Sequence, residues 1–116
     1  MSKPNLNLSE WVDDLPESEL MSISLGDLIE SAATKFPETE ALVYSNQPDV
    51  DDIRWTYKHL NEMSTNLAKA FIDAGFNQGD TVGVWGPNHP EWILTEYALA
   101  KAGLRIVTLN PLYKEQ

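Results

Sequence analysis

Histidine is the side chain best suited to proton transfer near neutral pH, and this sequence contains two. His89 lies in the segment Gly86-Pro87-Asn88-His89-Pro90, and it would act as a general base only beside a serine or cysteine nucleophile motif, which the sequence lacks. His59 adjoins Lys58 on a predicted helix, off its apolar stripe, so we expect it to be solvated. Two isolated histidines without any cysteine do not make an ordinary metal site. The sequence therefore predicts no catalytic and no metal-ligating residue.

Two further segments bear on ion and phosphate binding. Asp49, Asp51 and Asp52 resemble a cluster for a hard cation, but the glycine and the distal glutamate of a calcium loop are missing, so a solvated loop is expected. The glycines of the segment 75–80 precede a predicted strand instead of following one, and no Gly-Lys-Ser/Thr or G-x-G-x-x-G pattern occurs. These features exclude an ordinary phosphate-binding loop.

Gly86-Pro87-Asn88 follows a predicted strand and opens a predicted helix, which is where α/β proteins place ligand loops. Asn88 and Glu91 have the spacing of an N-cap and its partner at the third helical position, and Pro90 suits a first helical turn. We expect Asn88 mainly to cap this helix, with direct ligand contact as the alternative.

The predicted secondary structure around these residues is that of a mixed α/β fold. Ser24 with Asp27 predicts the capped start of a first helix, and Pro37 ends it. Thr56 is predicted to cap a second helix, which Gly75 ends. The apolar stripe of this second helix consists of Leu60, Met63, Leu67, Phe71 and Ala74. Between the helices, Ala41–Tyr44 and Ile53–Thr56 predict an antiparallel strand pair.

The second half of the chain predicts a βαβ unit. Thr81–Trp85 is a β-rich run, Glu91–Ala102 is helical, Gly103 closes that helix in a left-handed conformation, and Arg105–Leu109 is a strand. Because that last strand is almost continuously apolar, it is of the kind buried on both faces. We expect its uncovered face and free edge to promote self-association.

Composition limits the partners and the compartment. The chain has 116 residues, with 18 acidic against 8 basic side chains and a net charge of -10, which disfavours nucleic acid and anionic membranes. No apolar run is long enough to span a bilayer, and no targeting signal is evident, so a cytoplasmic location is the default expectation. Residues 1–23 are predicted to be an acidic flexible arm, and residues 24–116 the folded part.

Three stretches together resemble the adenylate-forming enzymes of the AMP-binding superfamily. Trp55-Thr56-Tyr57-Lys58-His59-Leu60 resembles their T-Y-x-E-L motif, with His59 in place of the usual Glu. Residues 77–84 resemble their x-x-G-D-x-V-x-(I/V) segment, and residues 99–111 their A-x-x-x-A-G-x-x-x-V-x-(L/I)-N-P motif. Trp85-Gly86-Pro87-Asn88 followed by Glu91-Trp92 is similar to acyl-CoA synthetases that act on medium-chain fatty acids.

This resemblance implies that the chain is the N-terminal segment of an ATP-dependent fatty acid–CoA ligase, an incomplete α/β subdomain of the AMP-binding domain. Such enzymes join a carboxylate to AMP and pass the acyl group to CoA, using ATP, magnesium and CoA. The family's phosphate loop and catalytic lysine motifs are not in this sequence, so the isolated chain is predicted to be inactive. The resemblance places only Asn110 and Pro111 near a cofactor, along the path of CoA, and it also permits a mitochondrial location.

Two other interpretations remain open on the sequence alone. One is a stand-alone acidic interaction module that pairs with a full-length ligase through its open sheet edge. The other is an unrelated flavodoxin-like binding domain, favoured only by the βαβ unit.

Overall fold

The computed structural model describes residues 21–45, 48 and 51–113, and the elements among them confirm the predicted α/β arrangement. In chain order these are α1 (Leu25–Lys35), β1 (Glu40–Tyr44), β2 (Ile53–Thr56), α2 (Tyr57–Asp73), β3 (Thr81–Trp85), α3 (Pro90–Ala102) and β4 (Arg105–Leu109). β1 and β2 pair antiparallel, whereas β3 and β4 pair parallel with α3 as the crossover. Residues 1–20 of the predicted arm lie outside the described residues, and residues 21–23 are exposed.

The first helix begins at the predicted cap. Ser24 Oγ accepts a hydrogen bond from the Asp27 backbone N–H at 3.1 Å and donates one to Asp27 Oδ2 at 2.7 Å. This is a capping box in which Asp takes the place of Glu. α1 ends at Lys35, two residues before Pro37, as the sequence predicts.

The second helix also has the predicted ends. Thr56 Oγ1 accepts from the His59 backbone N–H at 3.2 Å. At the other end Gly75 has φ +97°, and the Phe76 N–H donates to the Phe71 carbonyl at 3.2 Å. The Phe71 and Phe76 rings then meet edge-on with centroids 5.5 Å apart, which is the apolar contact that accompanies such caps.

The predicted apolar stripe of α2 is only partly correct. Leu60 is buried, but Met63, Leu67 and Phe71 are half-buried and Ala74 is exposed, whereas Ser64 and Ala68 are buried. The most extensive contact between described helices joins α2 to α3, and small side chains on α2 allow the two backbones to approach closely. The buried hydroxyl of Ser64 has a hydrogen-bond partner, because it donates to the Asn61 carbonyl at 3.0 Å.

The third helix ends as predicted, at a left-handed glycine. Gly103 has φ +70°, and the Leu104 N–H donates to the Leu99 carbonyl at 2.9 Å. The Gly103 carbonyl accepts from the Gly79 N–H at 2.8 Å, so the turn before β3 is joined to the turn before β4. Each of α1, α2 and α3 is too short or too polar to cross a bilayer.

Candidate functional site at the carboxyl edge of β3 and β4

Two loops meet at one edge of the parallel strand pair. β3 and β4 run in the same direction with Trp85 opposite Leu109, so residues 86–89 and residues 110–113 leave the sheet side by side. Ligands of open α/β sheets bind at this carboxyl edge. The structure thus brings together the two segments that the sequence analysis singled out separately.

The predicted CoA-path residues form a tight turn. Asn110 Oδ1 accepts from the Leu112 N–H at 2.9 Å, and the Asn110 carbonyl accepts from the Tyr113 N–H at 3.1 Å. Pro111 occupies the turn position that its fixed φ favours, and it has no N–H to donate. Leu112 and Tyr113 are 80% and 69% exposed, so the turn projects from the edge of the strand pair.

The cap of α3 differs from the prediction. The N-cap is His89, with φ −136° and ψ 157°, and not Asn88; its side chain makes no capping hydrogen bond. The cause is Pro90, which takes the first helical position and forces the residue before it into an extended conformation. Asn88 therefore lies one residue too early to reach the open N–H groups of the first turn.

His89 links this loop to the antiparallel hairpin. Its Nδ1 lies 3.4 Å from the Tyr44 hydroxyl, and the two rings are tilted with centroids 5.6 Å apart. Beside this pair is a cavity of about 210 Å³ whose walls include Leu42, Pro90, Trp92 and Ile93. Sequence reasoning missed Tyr44 and the cavity, because Tyr44 is 45 positions away from His89 on a separate predicted unit.

A wider cleft of about 480 Å³ lies on the other side of the loop. Trp85 and Trp92 form apolar walls, and Glu91 and Thr95 add polar groups. His89 borders both spaces, yet its described partner is a tyrosine hydroxyl and not a serine nucleophile. The edge therefore offers apolar surface for binding and no assembled nucleophile–base pair.

A lysine that the sequence analysis did not single out joins the three helices. Lys101 Nζ donates to Asn61 Oδ1 at 2.6 Å, to Thr65 Oγ1 at 2.7 Å and to the Asn61 carbonyl at 3.1 Å. A Cβ on Gly26 of α1 would lie 3.1 Å from Lys101 Cγ, so a glycine is what lets α1 pass over this lysine. Desolvation lowers the pKa of Lys101, opposed by the charge of Glu30.

The remaining predicted candidates are apart from this edge. His59 is exposed as predicted, and its ring meets Trp55 edge-on at 6.2 Å. Asp52 bonds to Arg54 at 2.8 Å, and hydrogen bonds from Ser45 and then Arg54 lower the pKa of its carboxyl. Asp49 lies outside the described residues, and within them no three His, Cys, Asp or Glu side chains cluster as metal ligands would.

Comparison with known proteins decides the family. The model of the AMP-binding enzymes matches residues 29–116. The chain belongs to the AMP-binding enzyme family. Among the relatives of this AMP-binding chain, the mitochondrial medium-chain acyl-CoA ligase ACSF2 of Mus musculus is 34% identical over 104 residues, which are 90% of this chain and 16% of that protein.

Solved structures agree with this assignment. The long-chain-fatty-acid-CoA ligase FadD1 from Archaeoglobus fulgidus matches with a TM-score of 0.72 at 33% identity, over 79% of this chain and 19% of that one. The N-terminal domain of FACL13 from Mycobacterium tuberculosis matches with a TM-score of 0.69 at 29% identity, over 77% of this chain and 22% of that one. The AMP-binding chain thus resembles the N-terminal region of fatty acyl-CoA ligases, and it spans less than a quarter of each protein compared.

These matches confirm the resemblance that the three sequence motifs indicated. They give no support to the stand-alone interaction module. They also leave the flavodoxin-like alternative without an argument, because that alternative had only the βαβ unit in its favour.

Proposed function

We propose that this AMP-binding chain supplies the N-terminal scaffold of an ATP-dependent fatty acid–CoA ligase, which forms an acyl adenylate and then a CoA thioester. The observation that carries the proposal is the 34% identity to a medium-chain acyl-CoA ligase across 90% of the chain, together with the family match over residues 29–116. Because the chain spans only 16% of that ligase, the activity is proposed for the ligase and not for this segment by itself.

The site at the carboxyl edge supports a scaffolding role. Phosphates and magnesium need cations, aligned N–H groups or carboxylate clusters. At the 110–113 turn, the Asn110 side-chain oxygen and the Leu112 and Tyr113 N–H groups already bond within the turn, and Pro111 has no N–H. These residues do not fit ATP with magnesium, so no step of adenylation is assigned to them.

The same turn fits a neutral part of CoA better. Leu112 and Tyr113 expose apolar and aromatic surface beside Asn110 and Pro111. We therefore propose that Asn110 and Pro111 shape the wall along which CoA passes, with no contact to its phosphates. The turn geometry supports this by presenting exposed uncharged surface at the edge where α/β proteins bind ligands.

A chimera tests the proposed function. Residues 29–113 of this chain replace the equivalent segment of the Archaeoglobus fulgidus ligase, and acyl-CoA formation from a fatty acid, ATP and CoA is measured. We expect activity within about tenfold of the parent, because homologous scaffolds tolerate substitution when the core pattern is kept. A soluble, cooperatively melting chimera without activity would refute the proposal, and a host carrying a flavodoxin-like βαβ insert serves as the negative control.

We propose that the ligase shares the compartment of its relatives. ACSF2 of mouse is named as mitochondrial, which favours the mitochondrial alternative over the cytoplasmic expectation. Fractionation of cells that express the tagged protein from its native gene would decide between them, and recovery in the cytosol alone would reject the mitochondrial location.

A further inference from the structure

One flank of α1 is apolar and open to solvent. Leu25 in its first turn is 50% exposed, and Phe36, which follows the helix, is 57% exposed. Leu28 and Ala32 lie between them and are half-buried. Leu25, Leu28 and Ala32 fall within about 60° of the helix circumference, and Phe36 continues their line at i+4. We call Leu25, Leu28, Ala32 and Phe36 the open flank of α1.

The adjoining flank of the same helix is the packed one. Gly26 and Ile29 are buried, and α1 contacts both α2 and α3. Gly26 lies against Lys101 of α3, which shows the direction of this packing. The apolar arc of α1 therefore extends beyond the part that the described helices cover. A helix with such an arc buries it against a further element.

The sequence before α1 contains the pattern of a short amphipathic helix. Four large apolar residues follow the i, i+3, i+4, i+7 spacing of one helical face, namely Leu8, Trp11, Val12 and Leu15. Asn7 and Glu10 have the spacing of an N-cap and its partner at the third helical position, and Pro16 ends the pattern. A helix of about eight residues is marginal in water, so this segment needs a surface on which to pack.

The connection to α1 is long enough to place this segment on the open flank. Residues 16–23 reach at most about 26–29 Å when extended. α1 has 11 residues and is about 16 Å long. The segment can therefore run back along α1 in the antiparallel direction, and a connection of this length is common between packed helices.

Charge favours the same placement. Residues 1–20 contain five acidic side chains and one lysine. Lys35 in the last turn of α1 and Lys58 at the start of α2 are exposed, and the Lys58 N–H donates to the Pro37 carbonyl at 3.1 Å, so both lie at the same end of α1. Neither lysine forms an ion pair with a described residue. With Glu38 as the one acid between them in this turn, that end keeps a net positive charge.

We propose that the open flank of α1 is the docking surface for residues 8–15 of the same chain, packed as a two-turn helix antiparallel to α1. This placement gives part of the predicted acidic arm a fixed position, and it does not depend on the proposed function. A second copy of the chain is the poorer occupant, because two chains that each carry a net charge of -10 repel each other.

Cysteine labelling of the full 116-residue chain tests the proposal, because the chain has no cysteine of its own. Ala32→Cys places a thiol on the open flank, and its alkylation is followed by mass spectrometry. Adding Trp11→Gln should speed this reaction at least about tenfold, because a covered thiol reacts only when its cover opens. The matched control is Glu10→Gln, which introduces the same residue on the opposite face and keeps the capping box. It should change the rate by less than about threefold.

A second thiol and a second arm variant make the result decisive. Thr34→Cys, which is exposed on the other side of α1, reports opening of the helix itself. Trp11→Gln should leave its rate unchanged, and Leu15→Gln should act on Ala32→Cys as Trp11→Gln does. Equal acceleration at positions 32 and 34, or a change below about threefold at position 32, overturns the docking surface. Protection of position 32 that rises with protein concentration assigns the flank to a second copy and also overturns the proposal. Leu28→Cys takes the place of Ala32→Cys if that variant does not fold.

Discussion

Gly103 is the position where a single substitution tests the backbone argument most directly. Its φ is +70°, in the left-handed region that L residues with a Cβ disfavour by about 1–2 kcal/mol. A Cβ there would also lie 3.0 Å from Gln78 Cγ, closer than ordinary contact. Because the Gln78 side chain is exposed and flexible, we expect this contact to add less than the backbone strain.

Gly103→Val should therefore lower the free energy of unfolding by about 2 kcal/mol, since a β-branched residue is poorly tolerated at positive φ. Urea unfolding followed by tryptophan fluorescence measures the change. With a urea dependence of about 1–3 kcal/mol per molar for a small domain, the midpoint should fall by about 1 M.

Two other glycines separate strain from contact. Gly75 has φ +97° with open space around its Cβ position, so Gly75→Val reports backbone strain alone. Gly86 has neither a positive φ nor a neighbour within 4 Å, so Gly86→Val should change the midpoint least. Removing the Gln78 side chain should restore only the part of the stability loss that comes from its contact with residue 103. The double variant Gln78→Ala/Gly103→Val should therefore unfold at about the same urea concentration as Gly75→Val. A Gly103→Val midpoint equal to that of Gly86→Val would refute the capping argument.

Three further predictions concern the lysine between the helices, the helix cap and the chemistry. Lys101→Met should destabilise the fold by about 1–3 kcal/mol, because it leaves Asn61 Oδ1 and Thr65 Oγ1 without their donor. Burial lowers the pKa of Lys101 in the folded chain below its unfolded value of 10.5. Between these two pKa values the unfolded chain binds more protons, so the free energy of unfolding of the wild type should rise with pH across that range. This rise should be absent in Lys101→Met. Thr56→Ala should cost about 1 kcal/mol in urea unfolding, and an unchanged midpoint would contradict the observed bond to the His59 N–H. Pyrophosphate exchange driven by a fatty acid should stay at background for the isolated chain, and a clear signal would show that adenylation does not need the family's later motifs.

Local chemistry made most of the fold predictable. The predicted helix ends depend on hydrogen bonds between residues no more than five positions apart, so a short stretch of sequence is enough to predict them. The residues at these ends are Ser24, Thr56, Gly75 and Gly103. The short apolar and β-rich runs between turn residues likewise placed the four predicted strands within one residue of the observed bounds.

The failures arose where a neighbour or a distant contact decided the outcome. Pro90 moved the cap of α3 from Asn88 to His89, which the N-cap preference alone does not anticipate. α3 packs against the face of α2 that carries Leu60, Ser64 and Ala68, and these residues are buried. The spacing of large apolar residues did not predict this face, because two of its three residues are small. The contact between His89 and Tyr44 joins two units whose relative placement no local pattern encodes.

The residues that identify the family are, in this structure, residues that build turns and caps. The Thr56 hydroxyl caps α2, and the Asp80 carbonyl accepts from the Arg105 N–H at 2.8 Å. The Gly103 carbonyl accepts from the Gly79 N–H, and the Asn110 side chain closes the turn after β4. Each of these residues has a folding role that is complete without a substrate. Because the Gly103 carbonyl bonds to the turn before β3, a change at Gly103 should shift β4 against β3 and displace the 110–113 turn that follows β4.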